Sequence, residues 1–412
     1  MPNFIDEFKK RGFLYQCTGI EDLKNLCDER TITLYIGFDC TATSLHVGNL
    51  MQVMILRLLQ RMGHKPIVII GGATSKIGDP SGKDEMRKVL SPEELELNIA
   101  GIKKSLQKFI SFGTKENDAL LINNNDWFES IKYIDFLKNV GRFASVNKML
   151  TMDSVKTRLD RKQHLTFLEF NYMLLQSYDF VHLSKEYNCD VQLGGSDQWG
   201  NIIMGVDLVH KINNKKCFGL TTPLLTTASG SKMGKSADGA VWINEDKLSA
   251  YDYYQYWRNI DDRDIVKFAT LYTEFNDEKM SEFVNTVSKD INLAKKELAF
   301  VLTEICHGTT KAQQAQTISI KTFEENTVDF NLPTVHIKEQ SVTSGLYLYD
   351  LLVQTQIVSS KTAGKKLIMG KGISVNNIKI EDENTLVDFK MFSNNSMKLS
   401  SGKKKHIIVK IE

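Results

Sequence analysis

The stretch Thr31-Ile-Thr-Leu-Tyr35-Ile-Gly37-Phe-Asp39-Cys-Thr41-Ala-Thr-Ser-Leu-His46-Val-Gly48-Asn49 decides how the rest of the chain is read. Thr31–Phe38 is a nearly continuous run of apolar and β-branched residues, the pattern of a strand buried on both faces. A polar turn follows, and Leu45–Met62 then carries helical periodicity that stops at Gly63, a C′ position. The alternation repeats at once. Lys65–Gly71 reads as a second strand, and Ser91-Pro-Glu-Glu opens a helix with a Ser cap, Pro in the first turn and acids at the positive end of the dipole. Strands alternating with helices predict an α/β fold built on a doubly wound, Rossmann-like parallel sheet. Ligands of such sheets sit beyond the carboxyl ends of the strands, with phosphates on helix N-termini. The turn after Phe38 is therefore the first candidate site.

Composition closes off several classes. The 412 residues are 42% hydrophobic and 25% charged with a net charge of +2, the balance of an ordinary globular protein rather than a disordered one. The N-terminus carries acids early and no long apolar core, so no signal peptide is expected there. No run of about 18 apolar residues predicts a membrane span. Six scattered cysteines form no Cys-x-x-Cys pair and none sits at zinc spacing from a histidine, so neither a disulfide framework nor a structural metal is expected. Neither Gly-x-Gly-x-x-Gly nor a P-loop occurs, which removes dinucleotide oxidoreductases and P-loop enzymes.

Charge is unevenly placed. Residues 341–412 hold 11 lysines against 6 acids, net +5, so the remainder is net −3. A basic terminal module on a mildly acidic body suggests nucleic acid held by an appendage. Ahead of it, Asn331-Leu-Pro-Thr-Val reads as a linker, and from Ala250 to about Glu325 the pattern is helical, with the aromatic run Tyr251-Asp-Tyr-Tyr-Gln-Tyr-Trp257.

Two motifs point to phosphate chemistry. His46-Val-Gly48-Asn49 puts a histidine beside a glycine at a helix start, where backbone approaches a ligand closely. Gly230-Ser-Lys232-Met233-Gly-Lys235-Ser236 spaces two lysines three apart in a flexible stretch able to close on polyphosphate. Together they resemble the two signatures of class I aminoacyl-tRNA synthetases. Tyr35–Asn49, Gly71-Gly-Ala-Thr-Ser-Lys-Ile-Gly-Asp79-Pro-Ser-Gly-Lys83, Tyr172-Met-Leu-Leu-Gln176-Ser-Tyr-Asp179 and Gln192-Leu-Gly-Gly195-Ser-Asp197-Gln198 further resemble the bacterial tyrosyl-tRNA synthetase family. That resemblance runs in order from about Tyr15 to the C-terminus, including an RNA-binding tail of ribosomal-protein type.

The spacing of the third segment has its own meaning. Tyr172, Gln176 and Asp179 share one helical face, a polar stripe that is costly to bury unless a ligand or a neighbour satisfies it. The resemblance implies that Tyr35 and Asp179 bond a substrate phenol, that Asp79, Tyr172 and Gln176 hold its ammonium group, and that Gln192 and Gln198 complete the tyrosine pocket. It places ATP against Gly37, Asp39, His46, Gly48, Asn49, Gly195, Asp197, Lys232, Met233, Lys235 and Ser236, with Asp197 on the ribose. Thr41, His46, Lys83, Arg87, Lys232 and Lys235 would stabilise charge gathering on the phosphates. The implied reaction makes tyrosyl-adenylate and pyrophosphate from L-tyrosine and ATP, with Mg2+ arriving on ATP, then moves tyrosine to the 3′ end of tRNA(Tyr). Also implied are a cytoplasmic homodimer and three domains: catalytic over 1–245 with a dimer-forming insertion around 120–168, helical tRNA-binding over 246–330, and RNA-binding over 341–412. In the last, Lys361, Lys365, Lys366 and Lys371 would reach phosphates without reading bases.

Three positions depart from the family pattern. Asn49 replaces the second signature histidine and still offers a donor; Ile36 offers none; Gly234 stands where the loop signature has Ser, adding flexibility. A tryptophan-specific relative fits the Tyr35/Asp179 pair poorly, because indole has one donor and no acceptor. A non-catalytic RNA-binding protein of this fold would have no use for His46, Lys232 and Lys235.

Overall fold

The molecule is described by a computed structural model covering residues 3–77, 90–230, 233–236, 239–323, 332–376, 378–393, 395–402 and 405–412. The buried run at the start of the chain is a strand, as its composition predicts. Six strands, β1 (Gln16–Cys17), β2 (Thr33–Phe38), β3 (Lys65–Ile70), β4 (Leu120–Asn123), β5 (Val191–Gly195) and β6 (Phe218–Thr222), form one sheet in the order β1-β6-β5-β2-β3-β4. All pairs are parallel except the β1–β6 edge. The chain leaves β2 toward β3 and β4 on one side and returns on the other through β5 and β6. Its direction of winding reverses between β2 and β5, which is the topological switch point of a doubly wound sheet.

The helical expectations hold with small shifts. Val47–Asn49 is a 3-10 turn leading into Leu50–Arg61, whose chain reverses through Gly63 at φ +83. Pro92–Leu106 begins with a full capping box, in which Ser91 accepts from the Glu94 N–H and Glu94 bonds back to the Ser91 N–H. The helix Phe167–Glu186 is capped in the same way by Thr166 and Glu169, and the Glu169 carboxylate also takes Arg158 at 2.9 Å in a buried pair. This helix packs against Trp199–Asn213, and one core joins Tyr35, Ile67, Ile69, Trp127, Phe180 and Leu208 beneath the sheet.

Two compact units result. The first comprises Met1–Ser249 and Ile260–Gly308, the second Ala250–Asn259 and Thr309–Glu412. In the first, helices Ile265–Tyr272, Asp277–Lys289 and Ile291–His307 accompany the sheet. In the second, β9 (Thr334–Ile337), β10 (Ile373–Val375), β11 (Ile378–Ile380), β12 (Ser396–Ser401) and β13 (Lys405–Ile411) form a five-stranded sheet ordered β11-β10-β12-β13-β9. The stretch read as a linker is corrected here: Thr334 and Val335 belong to edge strand β9, parallel to β13, and Leu332 is buried with Tyr251, Ile318 and Ile408. Pro333 misled that reading, since proline is tolerated at the start of an edge strand, where its carbonyl still accepts from the Ile408 N–H. Among the described residues no helix is long and apolar enough to cross a membrane.

Candidate active site

Tyr35 is the third residue of β2, flanked in register by Ile67 of β3 and Gln192 of β5. Its ring packs on Phe180 at 5.4 Å, and its hydroxyl is buried with no hydrogen-bond partner among the described residues. Gln192 is buried as well, and its Oε1 likewise lacks a donor there. A native core leaves few such atoms unsatisfied, because each costs about 1–3 kcal/mol. Two on adjacent strands at a switch point make this a candidate site for a polar ligand.

Asp179 comes to the same place from the helix Phe167–Glu186. Asn124 Nδ2 donates to Oδ2 at 3.1 Å and Trp127 Nε1 donates to Oδ1 at 3.1 Å. Burial outweighs these two neutral donors and pushes the carboxyl up to about 8. Burial, and after it the neighbouring Asp179, also raise the Tyr35 phenol well above its usual value. Asn124 is itself fixed: its Oδ1 accepts from the Ala73 N–H at 2.8 Å and its Nδ2 reaches Thr74 at 3.0 Å. Sequence reasoning missed Asn124 and Trp127. The available signal was the polar run Asn123-Asn124-Asn125-Asp126-Trp127 at the carboxyl end of β4.

The rest of the stripe is partly satisfied by neighbours. Gln176 Nε2 donates to Gln198 Oε1 at 3.3 Å, and Asn201 Nδ2 donates to Gln176 Oε1 at 3.0 Å. Tyr172 is buried one turn earlier on the helix. The neighbour account of this stripe thus holds for Gln176 and for both oxygens of Asp179, and leaves the Tyr35 hydroxyl and Gln192 Oε1 without a donor or acceptor among the described residues.

At the other end of the crevice, β2 opens at Gly37, the one exposed residue of an otherwise buried strand. A Cβ placed there would meet nothing within 4 Å, so the space above it is empty. Asp39 and Thr41 follow on the exposed loop after β2, while Gly195 ends β5 and Asp197 lies on the 3-10 turn that follows it. His46 caps the 3-10 turn: its Nδ1 accepts from the Gly48 N–H at 3.0 Å, which puts the neutral ring's proton on Nε2. Asn49 Oδ1 accepts from the His46 N–H at 3.2 Å, so donation to a ligand would fall to its Nδ2 group.

The fold brings the two signatures together. A Cβ on Gly48 would lie 2.7 Å from the Met233 carbonyl oxygen, and one on Gly234, at φ +101, would lie 2.8 Å from the Gly48 nitrogen. Beside this contact, Val47 N–H donates to Val241 O and Ile243 N–H to Leu45 O, both at 2.9 Å. Lys235 and Ser236 form the short strand β7, paired with β8 (Gly239–Ala240), and their side chains lie outside the described atoms. Asp79, Lys83, Arg87 and Lys232 lie outside the described residues, as do Lys403 and Lys404 of the tail. Lys361, Lys365, Lys366 and Lys371 belong to the second unit, on or just after the helix Lys361–Met369. Among the described residues no group of three or more His, Cys, Asp or Glu side chains could hold a metal ion.

Residues 27–324 match the family described as tRNA synthetases class I (W and Y), and residues 325–409 match the tyrosine–tRNA ligase SYY-like C-terminal domain. Tyrosine–tRNA ligase of Rickettsia bellii is 58% identical over 409 residues, covering 99% of this chain and 100% of the relative, and that of Rickettsia conorii is 56% identical with the same coverage. A C-terminally truncated mitochondrial tyrosyl-tRNA synthetase from Aspergillus nidulans superposes with a TM-score of 0.71 at 27% identity, over 78% of this chain and 95% of that one.

Proposed function

The chain belongs to the class I tRNA synthetases, within their tyrosine–tRNA ligase branch, and from that premise we propose how its own residues divide the reaction. Tyrosine enters between β2 and the helix Phe167–Glu186. Its phenol donates to Asp179 and accepts from the Tyr35 hydroxyl. The two donors from Asn124 and Trp127 hold the carboxyl group in place beside the substrate. Tyr172 and Gln176, with Asp79, take the ammonium group. ATP lies over Gly37 with its ribose toward Asp197, and its phosphates meet His46 Nε2–H and Thr41, with Lys232, Lys235, Lys83 and Arg87 as further donors. Magnesium would come bound to those phosphates. These groups meet charge that grows as the carboxylate of tyrosine attacks the α-phosphorus and pyrophosphate leaves, so they act on the transition state more than on binding.

The tail's lysines then hold tRNA(Tyr) by its phosphates while the 3′ end accepts tyrosine. The proposal also includes a homodimer and a cytoplasmic location. One observation carries the amino-acid assignment: a buried phenol hydroxyl with no partner among the described residues, beside a buried carboxyl group, suits a substrate that both donates and accepts, as a phenol does and an indole or a benzyl group does not.

The test is tyrosine-dependent ATP–pyrophosphate exchange, run in parallel with phenylalanine, on the wild type and on Tyr35→Phe. Phenylalanine leaves Asp179 and Tyr35 unpaired and should be rejected; the tyrosine enzymes are this rule's own worked example, so the direction alone carries over. Tyr35→Phe should narrow the ratio of the two kcat/KM values. An unchanged ratio removes Tyr35 from the recognition set.

A further inference from the structure

At the start of the helix Leu348–Gln354, Tyr347 and Tyr349 stack with ring centroids 5.0 Å apart and planes 12° from parallel. Lys365 Nζ lies 4.8 Å from the centroid of the Tyr349 ring. Beside it Gly364 lies close against Tyr349, where a Cβ would sit 3.2 Å from the Tyr349 Cβ. Tyr347 is 37% exposed, and its bridge partner Leu386 is 47% exposed, so part of the aromatic pair is open to solvent beside an exposed apolar residue. Lys366, next to Lys365 on the helix Lys361–Met369, is exposed, within a module of net charge +5. Lysines alone serve phosphates. A flat aromatic surface among them is what an unpaired base needs, since every base has a π-face and the aromatic ring costs little entropy to present.

We propose that the Tyr347–Tyr349 stack is a landing surface for an unpaired nucleobase of the tRNA, so that this tail takes a base as well as phosphates. The inference rests on the reading of the tail as a tRNA-holding module.

It is tested by titrating the full-length protein with an unmodified tRNA(Tyr) transcript at several salt concentrations, using Tyr347→Ala, Tyr347→Phe and Lys366→Ala. Circular dichroism melts check that each variant folds. Tyr347→Ala should weaken binding at least about fivefold with the salt slope unchanged, and Tyr347→Phe should bind like the wild type. Lys366→Ala should instead lower the salt slope by about 0.7–0.9. A 4-thiouridine transcript irradiated on the protein should cross-link to the peptide carrying Tyr347. If Tyr347→Ala binds within twofold of wild type while Lys366→Ala weakens binding, the tail holds phosphates only and the proposal is wrong. It is equally wrong if Tyr347→Ala alters sedimentation and leaves RNA binding intact, for the stack is then a protein contact. If no variant, lysine included, changes tRNA binding, the RNA reading of the tail fails first and takes this inference with it.

Discussion

At Asp179 the protein keeps a carboxyl group out of water with two neutral donors, Asn124 and Trp127. The group is pushed up to about 8, whereas in an unfolded chain it titrates near ~3.9. Folding therefore takes up a proton in that window. The contribution to stability is complete below about pH 4 and is lost as pH rises through about 8. Asp179→Asn abolishes this titration, so its melting temperature relative to wild type should climb by at least about 2 °C between pH 5 and pH 9. Differential scanning calorimetry at the two pH values reads the change, and any constant offset from altered hydrogen bonds cancels. A flat difference would mean the carboxylate is ionised throughout, and the pocket wetter than its geometry suggests. Tyrosine activation should be lost in the same variant at either pH. At this scale helical spacing drew attention to Asp179, and family likeness to Tyr35. The sequence hid Asn124 and Trp127, because nothing in a run of three asparagines tells which one turns inward.

Elements were more legible than single contacts. The strands at Thr33–Phe38 and Lys65–Ile70, the capping box at Ser91 and the stop at Gly63 all follow from local chemistry: apolar runs, a polar cap and a positive φ. What local chemistry cannot show is the approach of distant backbones, as at Gly48 and Gly234. Two glycines of the same crevice give contrasting expectations. Gly48→Ala forces a Cβ to 2.7 Å from both the Met233 oxygen and the His46 ring. It should cost about 1–3 kcal/mol of stability and slow single-turnover adenylate formation at least tenfold (~1.4 kcal/mol), with the tyrosine KM unchanged. Gly37→Ala meets no protein atom within 4 Å, so stability should stay within about 0.5 kcal/mol, and the ATP KM should rise. Urea unfolding beside pre-steady-state kinetics separates the pair. Equal effects on both quantities in both variants would show that the crevice over β2 is not where the nucleotide goes.

For the whole molecule, the first unit carries large apolar side chains on its surface over one part of the chain: Tyr133, Ile134, Val146, Leu150, Phe167 and Leu168 are all exposed, Phe167 by 68%. Exposed apolar surface on this scale marks association, and the proposed second copy is its occupant. Replacing Ile134 and Phe167 by Asp should turn a dimer into monomers in sedimentation velocity at micromolar concentration. A wild type that sediments as a monomer there sinks the homodimer. The contact of Gly48 with Met233 and Gly234 has a different reach. The two segments it joins stand nearly half the chain apart, yet each loop is packed against the other. A growing polypeptide emerges from its N-terminus. It exposes the His46 turn long before Val241 and Ile243 exist to pair with Leu45 and Val47. Until that segment is made, the nascent chain has the strands of its sheet from β2 to β6 but an unfinished His46 turn, where the proposed ATP site lies. Competence therefore arrives late in synthesis, and a prematurely terminated chain that looks folded would be silent.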